Sequence, residues 1–246
     1  MELNNKIGAG FTADIYLSDG KIIKLLKEFM SEAAANYEAD KQKLAFASGI
    51  TVPNVYDVIE LNGRYAIVME YIQGDTLGSM IFKDKSKAVD YMSLSVDMQI
   101  NIQEKTADTL ESFIDLLKRK FQYPSVLNDK QKEELLNKAS TIQHEKRLCH
   151  GDCHVLNMLY TGADIYVIDW IDASNGDVRA DACRSYLLYL LHAPELADLY
   201  LQLYCGKSGL SQEEILIWKP IVAGAILSEN SAIGKTDYLL EIVNSY

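Results

Sequence analysis

The chain has 246 residues, 24 Lys and Arg against 35 Asp and Glu, a formal net charge of −11, and a hydrophobic fraction of 48%. This composition rules out a disordered, collagen-like or disulfide-stapled chain, and the length allows one large domain or two smaller ones with real cores. So acidic a chain is also a poor match for nucleic acid, because neutralising phosphates takes clustered Lys and Arg.

Met1 to Lys6 lacks the basic start and apolar core of a signal peptide. The longest smooth apolar stretch, Ile221 to Leu227, is far below the ~18–20 residues of a membrane span. The expectation is a cytoplasmic protein with no membrane partner. Ile7-Gly8-Ala9-Gly10-Phe11-Thr12-Ala13 reads as a Gly-rich turn between strands. The next two apolar runs flank Asp19-Gly20, a hairpin signal. A two-residue loop there sets Ser18 opposite Lys21 and Ile15 opposite Lys24. Residues 31–48 read as a helix stopped by Gly49. Val52 to Tyr56 is extended, and Arg64 to Met69 is a buried strand after the turn Asn62-Gly63. From about 76 to 145 the pattern is helical, with Pro124 dividing two long helices and 83–90 as a solvated connection. A β-type segment follows near 147–170. The chain after 178 is helical again, with breaks at Pro194, Gly206 to Gly209 and Pro220.

Cys149, Cys153, Cys183 and Cys205 are read as thiols, as a cytoplasmic setting implies. Two Cys and two His lie within residues 149–154, but no second pair stands downstream, so the spacing does not suit zinc. The same segment opens a richer pattern, His150-Gly151-Asp152-Cys153-His154-Val155-Leu156-Asn157, followed by two short apolar runs around Thr161-Gly162-Ala163-Asp164. Pairing Tyr160 with Ile165 puts Asn157 opposite Ile168, so Asn157 and Asp169 emerge at one end of a hairpin. Directly opposed residues lie roughly 5 Å apart. An amide oxygen and a carboxylate at that spacing suit Mg²⁺, with phosphate oxygens and water completing the ligands. Asp152, in the loop entering the hairpin, is placed to accept a proton from a hydroxyl approaching the same phosphate.

Asp152-x4-Asn157 followed a dozen residues later by Asp169 is the catalytic and metal pattern of protein-kinase folds. In its His-Gly-Asp-x-His form, with Ile168-Asp169-Trp170, it resembles the aminoglycoside phosphotransferase and choline kinase family. The resemblance runs from residue 7 to about 190. It implies an α+β, two-lobed protein-kinase-like fold, with a nucleotide-binding lobe at 1–74 and a helical catalytic and substrate lobe at 75–246. It implies that Gly8 and Gly10 cover the nucleotide and that Lys24, held by Glu38, orients its phosphates; Glu32 is the competing partner on the same helix. Met69, Glu70 and Ile72 would contact the purine, Asn157 and Asp169 would hold Mg²⁺, and Asp152 would be catalytic. The nucleotide would be ATP, with GTP as the variant, and the partner a small-molecule hydroxyl substrate: an amino sugar, amino alcohol or sugar. Asp181 is expected to accept hydrogen bonds from the catalytic-loop backbone. Asp172, Asp177, Glu195 and Glu229 are candidate acids for a cationic substrate, with capping of the following helix the other reading of Asp172 and Asp177. Two departures from the protein kinases, a missing third glycine and a short segment after Asp169, favour a small acceptor. The alternatives are a catalytically silent nucleotide-binding module and a protein kinase.

Overall fold

The computed structural model describes residues 3, 5–123, 125–229 and 234–245. In chain order the elements begin with strands β1 (Lys6–Ala9), β2 (Ala13–Ser18) and β3 (Lys21–Leu26), helix α1 (Glu32–Ala47), and strands β4 (Val55–Leu61), β5 (Arg64–Glu70) and β6 (Asp75–Thr76). Helices α2 (Leu77–Lys83), α3 (Ala88–Gln103), α4 (Phe113–Phe121) and α5 (Asp129–Thr141) follow. Four short strands come next: β7 (Arg147–Cys149), β8 (Met158–Tyr160), β9 (Ile165–Val167) and β10 (Ser174–Gly176). Helices α6 (Val178–His192), α7 (Pro194–Ser208), α8 (Gln212–Leu216), α9 (Lys219–Leu227) and α10 (Thr236–Asn244) complete the chain. Two compact units result: Met1–Met80 with Leu156–Ile171, and Ile81–Val155 with Asp172–Tyr246. A single cut after Gly74 misses this arrangement, because the β8–β9 hairpin folds with the first unit.

The first unit is built on an antiparallel sheet of order β1-β2-β3-β5-β4. Asp19 and Gly20 both take positive φ, as a two-residue hairpin loop requires. The register that follows sets Ser18 opposite Lys21 and Ile15 opposite Lys24. Strand period two then sorts the side chains. Ile23, Leu25, Ala66 and Val68 form one apolar cluster, while Leu26, Ile67 and Met69 join Ala35 and Ala39 of α1 in another. Lys24 alternates with Ile23 and Leu25, so it shares the face of Leu26 and points toward the helix. Helix α1 starts at Ser31, whose hydroxyl accepts from the Ala34 amide, and Gly49 follows its end with φ +80. A second sheet of order β6-β8-β9 belongs to the same unit. Gly74 lies against it so closely that a Cβ would stand 2.5 Å from the Tyr160 carbonyl oxygen.

The second unit is mainly helical, with β7 and β10 paired. Among the described residues the stretch from 76 to 145, which begins in the first unit, holds four α-helices where two long ones were expected. Residues 85–87 form a 3-10 turn running into α3, so 83–90 is not a mere connection. The break at 104–112 has no Gly or Pro to announce it: the Lys105 carbonyl accepts from Leu148 of β7, and the Glu111 carbonyl accepts from Asn175 of β10. Pro124 lies outside the described residues. Gly206 sits inside α7, which ends at Gly209 in the left-handed region, and Pro220 occupies the first turn of α9 rather than a break. Among the described residues no helix is long and apolar enough to cross a membrane.

The first sheet carries one conspicuous ionic knot. Asp14 of β2 meets Lys27 at 2.7 Å, Lys6 at 2.7 Å and Arg64 at 3.1 Å. Hydrogen bonds from Lys27, then Lys6 and Arg64, hold its carboxyl well below the usual carboxylate range. A depressed folded-state pKa stabilises the fold above the ordinary carboxylate range, and that stability is lost as pH falls through the folded value. Asp14→Asn should therefore be less stable than the wild type at pH 7 in urea unfolding. The gap should narrow as pH drops below about 4; a gap independent of pH would refute the charge account.

Candidate active site

In the first unit the site is centred on Lys24. Its ammonium donates to Glu38 Oε1 of α1 and to Asp169 Oδ1 at 3.0 Å. Glu38, 2% exposed, is thus the partner, not Glu32. Burial alone would push the ammonium pKa down; the charges of Glu38 and Asp169 outweigh it and hold Lys24 above its ordinary value.

Asp169 is positioned by the hairpin before it. Tyr160 pairs with Ile165, Met158 pairs with Val167, and the Ile168 amide donates to the Asn157 carbonyl at 3.0 Å. That bond sets Asn157 and Asp169 at the same hairpin end. Asp169 then turns out of the strand with φ +66, in the left-handed region that Asp tolerates better than most residues. Three anchors hold the segment. The Val167 amide donates to the Thr51 carbonyl at 3.0 Å, buried Trp170 donates its indole N–H to the Val167 carbonyl at 3.1 Å, and Lys41 donates to the Ile171 carbonyl at 2.8 Å. Lys41 is buried, lies over the Tyr37 ring, and was not anticipated. Its signal was the i, i+3 spacing from Glu38, which puts both on one face of α1.

The other expected nucleotide residues also fall in this unit. Gly8 is in β1 and Gly10 in the following turn, where its amide donates to the Ala13 carbonyl at 2.8 Å. Met69 is packed in the apolar cluster under α1, and Gln42 donates to its sulfur at 3.8 Å and to the Pro53 carbonyl at 2.6 Å. Glu70 uses its amide on the Asn54 carbonyl at 2.8 Å and its carboxylate on the Asn54 amide at 3.1 Å. Ile72 is buried.

In the second unit the site is the loop at 150–154. Gly151 has φ +78, and its amide donates to Asp181 Oδ1 at 2.8 Å. Asp181 Oδ2 accepts from Gln99 at 3.0 Å and Gln103 at 2.7 Å, whose amide oxygens accept from the Tyr200 and Tyr204 hydroxyls. This buried polar chain supplies the loop with the acceptor it needs, the structural role expected of Asp181. The Asp152 amide meets His150 Nδ1 at 3.2 Å, and the Val155 amide donates to the Tyr189 hydroxyl at 3.0 Å. His150 is buried, and burial pushes the Cys149 and Cys153 thiols well up, away from the thiolate a metal would need.

Around Asp152 lies a lattice of charge. His154 Nε2 is 3.5 Å from Asp152 Oδ2, and an Arg184 terminal nitrogen is 3.9 Å from Asp152 Oδ1. Burial would raise the Asp152 carboxyl; the His154 contact and the Arg184 and His150 charges instead hold it well below the usual range. Arg184 grips Glu229 with both terminal nitrogens, at 3.0 and 2.9 Å, and reaches Asp172 at 3.4 Å. Lys120 adds bonds to Asp172 at 2.8 Å and to Glu229. Asp177 is equally engaged: it caps α6, binds Arg179 at 2.6 Å and accepts from the Trp218 indole at 2.9 Å. Three of the four acids considered for a cationic substrate are thus paired with cations of the chain itself. Arg184 and Lys120 were not anticipated. Arg184 lies three residues after Asp181 on α6, a readable spacing; Lys120 carries no local signal.

This fold recurs in solved structures. An aminoglycoside-3'-phosphotransferase of type VIII superposes with a TM-score of 0.66 at 14% identity, over 91% of this chain and 92% of that one. A choline/ethanolamine kinase family protein from Mesorhizobium loti gives 0.61 at 16%, over 98% and 80%. An aminoglycoside phosphotransferase from Streptomyces rimosus, solved with ADP and streptomycin, gives 0.60 at 14%, over 86% and 90%. Among curated proteins none matches the sequence significantly. The fold is the protein-kinase-like one shared by these small-molecule kinases. Residues 96–216, which include Asp152, Asn157, Asp169 and Asp181, match the phosphotransferase enzyme family.

A Cβ on Gly151 would stand 2.3 Å from the Asp172 carbonyl oxygen, backbone against backbone. Gly151→Ala combines that overlap with a left-handed φ and should cost roughly 2–4 kcal/mol of stability in urea unfolding. A loss below about 0.5 kcal/mol would show that the loop is free to move away from Asp172.

Proposed function

We propose that this protein transfers the γ-phosphoryl group of ATP to a hydroxyl of a small molecule, with Mg²⁺ bound at Asn157 and Asp169. The observation that carries this reading is the Lys24 ammonium between Glu38 and Asp169, since it brings the phosphate-binding lysine and the metal carboxylate together. The donor set fits Mg²⁺: one carboxylate and one amide oxygen at a hairpin end, all hard oxygens, leaving the remaining positions to phosphate and water. Bound there, Mg²⁺ supplies neutralisation of the charge on the phosphates.

Lys24 binds the α- and β-phosphates while Glu38 keeps it oriented. Neither Gly8 nor Gly10 has a positive φ, and a Cβ on either would meet only ordinary contacts. The fold itself does not require glycine there, which supports a role in letting a phosphate approach the backbone. With its amide spent on Asn54, Glu70 offers its carbonyl to the purine edge, and Ile72 offers its amide. Asp152 orients the acceptor hydroxyl and receives its proton as the new O–P bond forms. Asp172 and Glu229 already hold Lys120 and Arg184, which favours an acceptor recognised through its hydroxyls over one gripped through several ammonium groups. A cytoplasmic setting, where ATP is available, goes with this reading.

The test is ADP release from Mg²⁺-ATP across sugars, amino sugars and amino alcohols. One class should stimulate release. Asp152→Asn should lower that release at least ~10²-fold with ATP affinity nearly unchanged, and a fully active variant would refute the role. Asp169→Ala should remove the Mg²⁺ dependence of ATP binding; unchanged dependence would exclude it as a ligand. ATP binding without stimulation by any acceptor would favour a silent nucleotide-binding module.

A further inference from the structure

The lattice in the second unit reaches the catalytic loop through one side chain. Arg184 is 6% exposed, and its N–H groups are divided among three hydrogen-bond partners, with a fourth group at ion-pair distance. Its Nε donates to the Gly151 carbonyl, one terminal nitrogen donates to Glu229 Oε1, and the other donates to Glu229 Oε2 and Asp172 Oδ2 and stands at ion-pair distance, 3.9 Å, from Asp152 Oδ1. The fork therefore bonds the backbone just before Asp152 and sets its charge beside the Asp152 carboxylate. Glu229, gripped from both terminal nitrogens, prevents the guanidinium from rotating. Lys120 binds Glu229 and Asp172 from the other side and keeps both acids in place.

We propose that Arg184, clamped by Glu229, is the positioning residue of this loop, fixing the Gly151 carbonyl and the Asp152 carboxylate in one geometry. The inference rests on the reading of Asp152 as the residue that orients the acceptor. A planar fork can hold a carbonyl and a carboxylate together, whereas a lysine ammonium of similar charge cannot span both. The arrangement differs from the support given by Asp181, which reaches the Gly151 amide and not its carbonyl. Asp181 sets the turn; Arg184 sets the carboxylate.

The groups facing Asp152 are His150, His154, Arg184 and Asp172, with Cys153 beside it. Arg184 is the permanent cation among them, so its removal has a defined sign. In protein carrying ¹³C-carboxylate aspartate, with the Asp152 signal assigned by comparison with Asp152→Asn, Arg184→Gln should move the Asp152 midpoint up by about one pH unit. Arg184→Lys should keep the midpoint near that of the wild type. It should nevertheless lower ADP formation with the stimulating acceptor at least about tenfold, at unchanged KM for Mg²⁺-ATP, because the charge stays and the fork is lost. A folded Arg184→Gln with an unmoved Asp152 midpoint would overturn the proposal. So would Arg184→Lys with wild-type turnover, which decides the matter where Arg184→Gln does not fold. The titration needs neither nucleotide nor acceptor, so it separates failure of this inference from failure of the phosphotransfer reading.

Discussion

Everything in the first unit turns on one buried ammonium. A cation withdrawn from water costs several kcal/mol unless it is closely paired, and Lys24 has two carboxylates to meet that cost. One comes from α1, fourteen residues on; the other comes from a segment 145 residues away. The β2–β3 register points Lys24 at α1, and the apolar cluster of Ala35, Ala39, Leu26 and Ile67 seats the helix against that face. The β8–β9 hairpin then has to fold with the first unit, because Asp169 is the second counter-charge. Taking Glu38 or Asp169 away leaves an under-compensated charge, so the pairing constrains helix, sheet and hairpin together.

The second unit solves a related problem with a different balance. Two cations, Lys120 and Arg184, are set among three carboxylates, Asp152, Asp172 and Glu229. Burial would raise Asp172, but Lys120 and Arg184 keep it below its ordinary value. The lattice is coupled: each acid is shared by two groups, so no single pair can be removed without exposing another. Beneath it runs the neutral chain from Tyr200 and Tyr204 through Gln99 and Gln103 to Asp181. Ionic and neutral networks thus converge on Gly151 and Asp152 from opposite ends of the loop's hydrogen bonding.

How much of this is legible in the sequence depends on whether the cause is local. Asp19-Gly20 dictates its own turn and hence the Lys24 register, and the four-residue loop at 161–164 likewise delivers Asn157 opposite Ile168. The distance from Pro53 picks Glu38 over Glu32, and Asp181 is recoverable because a buried loop amide needs an acceptor. What local pattern does not carry is pairing between distant charges. Lys120 meets Glu229 across 109 residues, and Arg184 meets Glu229 across 45. A charged residue in an amphipathic helix reads as solvated unless its partner is known. The break at 104–112 is only partly legible for the same reason: Ser112 caps the next helix, but the segment is also held by bonds to β7 and β10.

On the proposed reading of Asp152 as the group that receives the acceptor's proton, its state bears on what the chemistry demands. A general base works best with a pKa near the working pH, and a carboxylate held well below its usual range is a weak base. Such a group has little driving force to pull a proton from an alcohol in the ground state. It can still accept the proton late, once the O–P bond has made the hydroxyl acidic. A chain that lowers this pKa with Arg184 and His154 therefore gains little from base strength and much from fixed placement. That balance suits phosphoryl transfer, whose loose transition state asks more of alignment and charge than of proton abstraction. The same reasoning explains the structural investment: a strong base tolerates some motion, whereas a weak one contributes only while it is held on the hydroxyl.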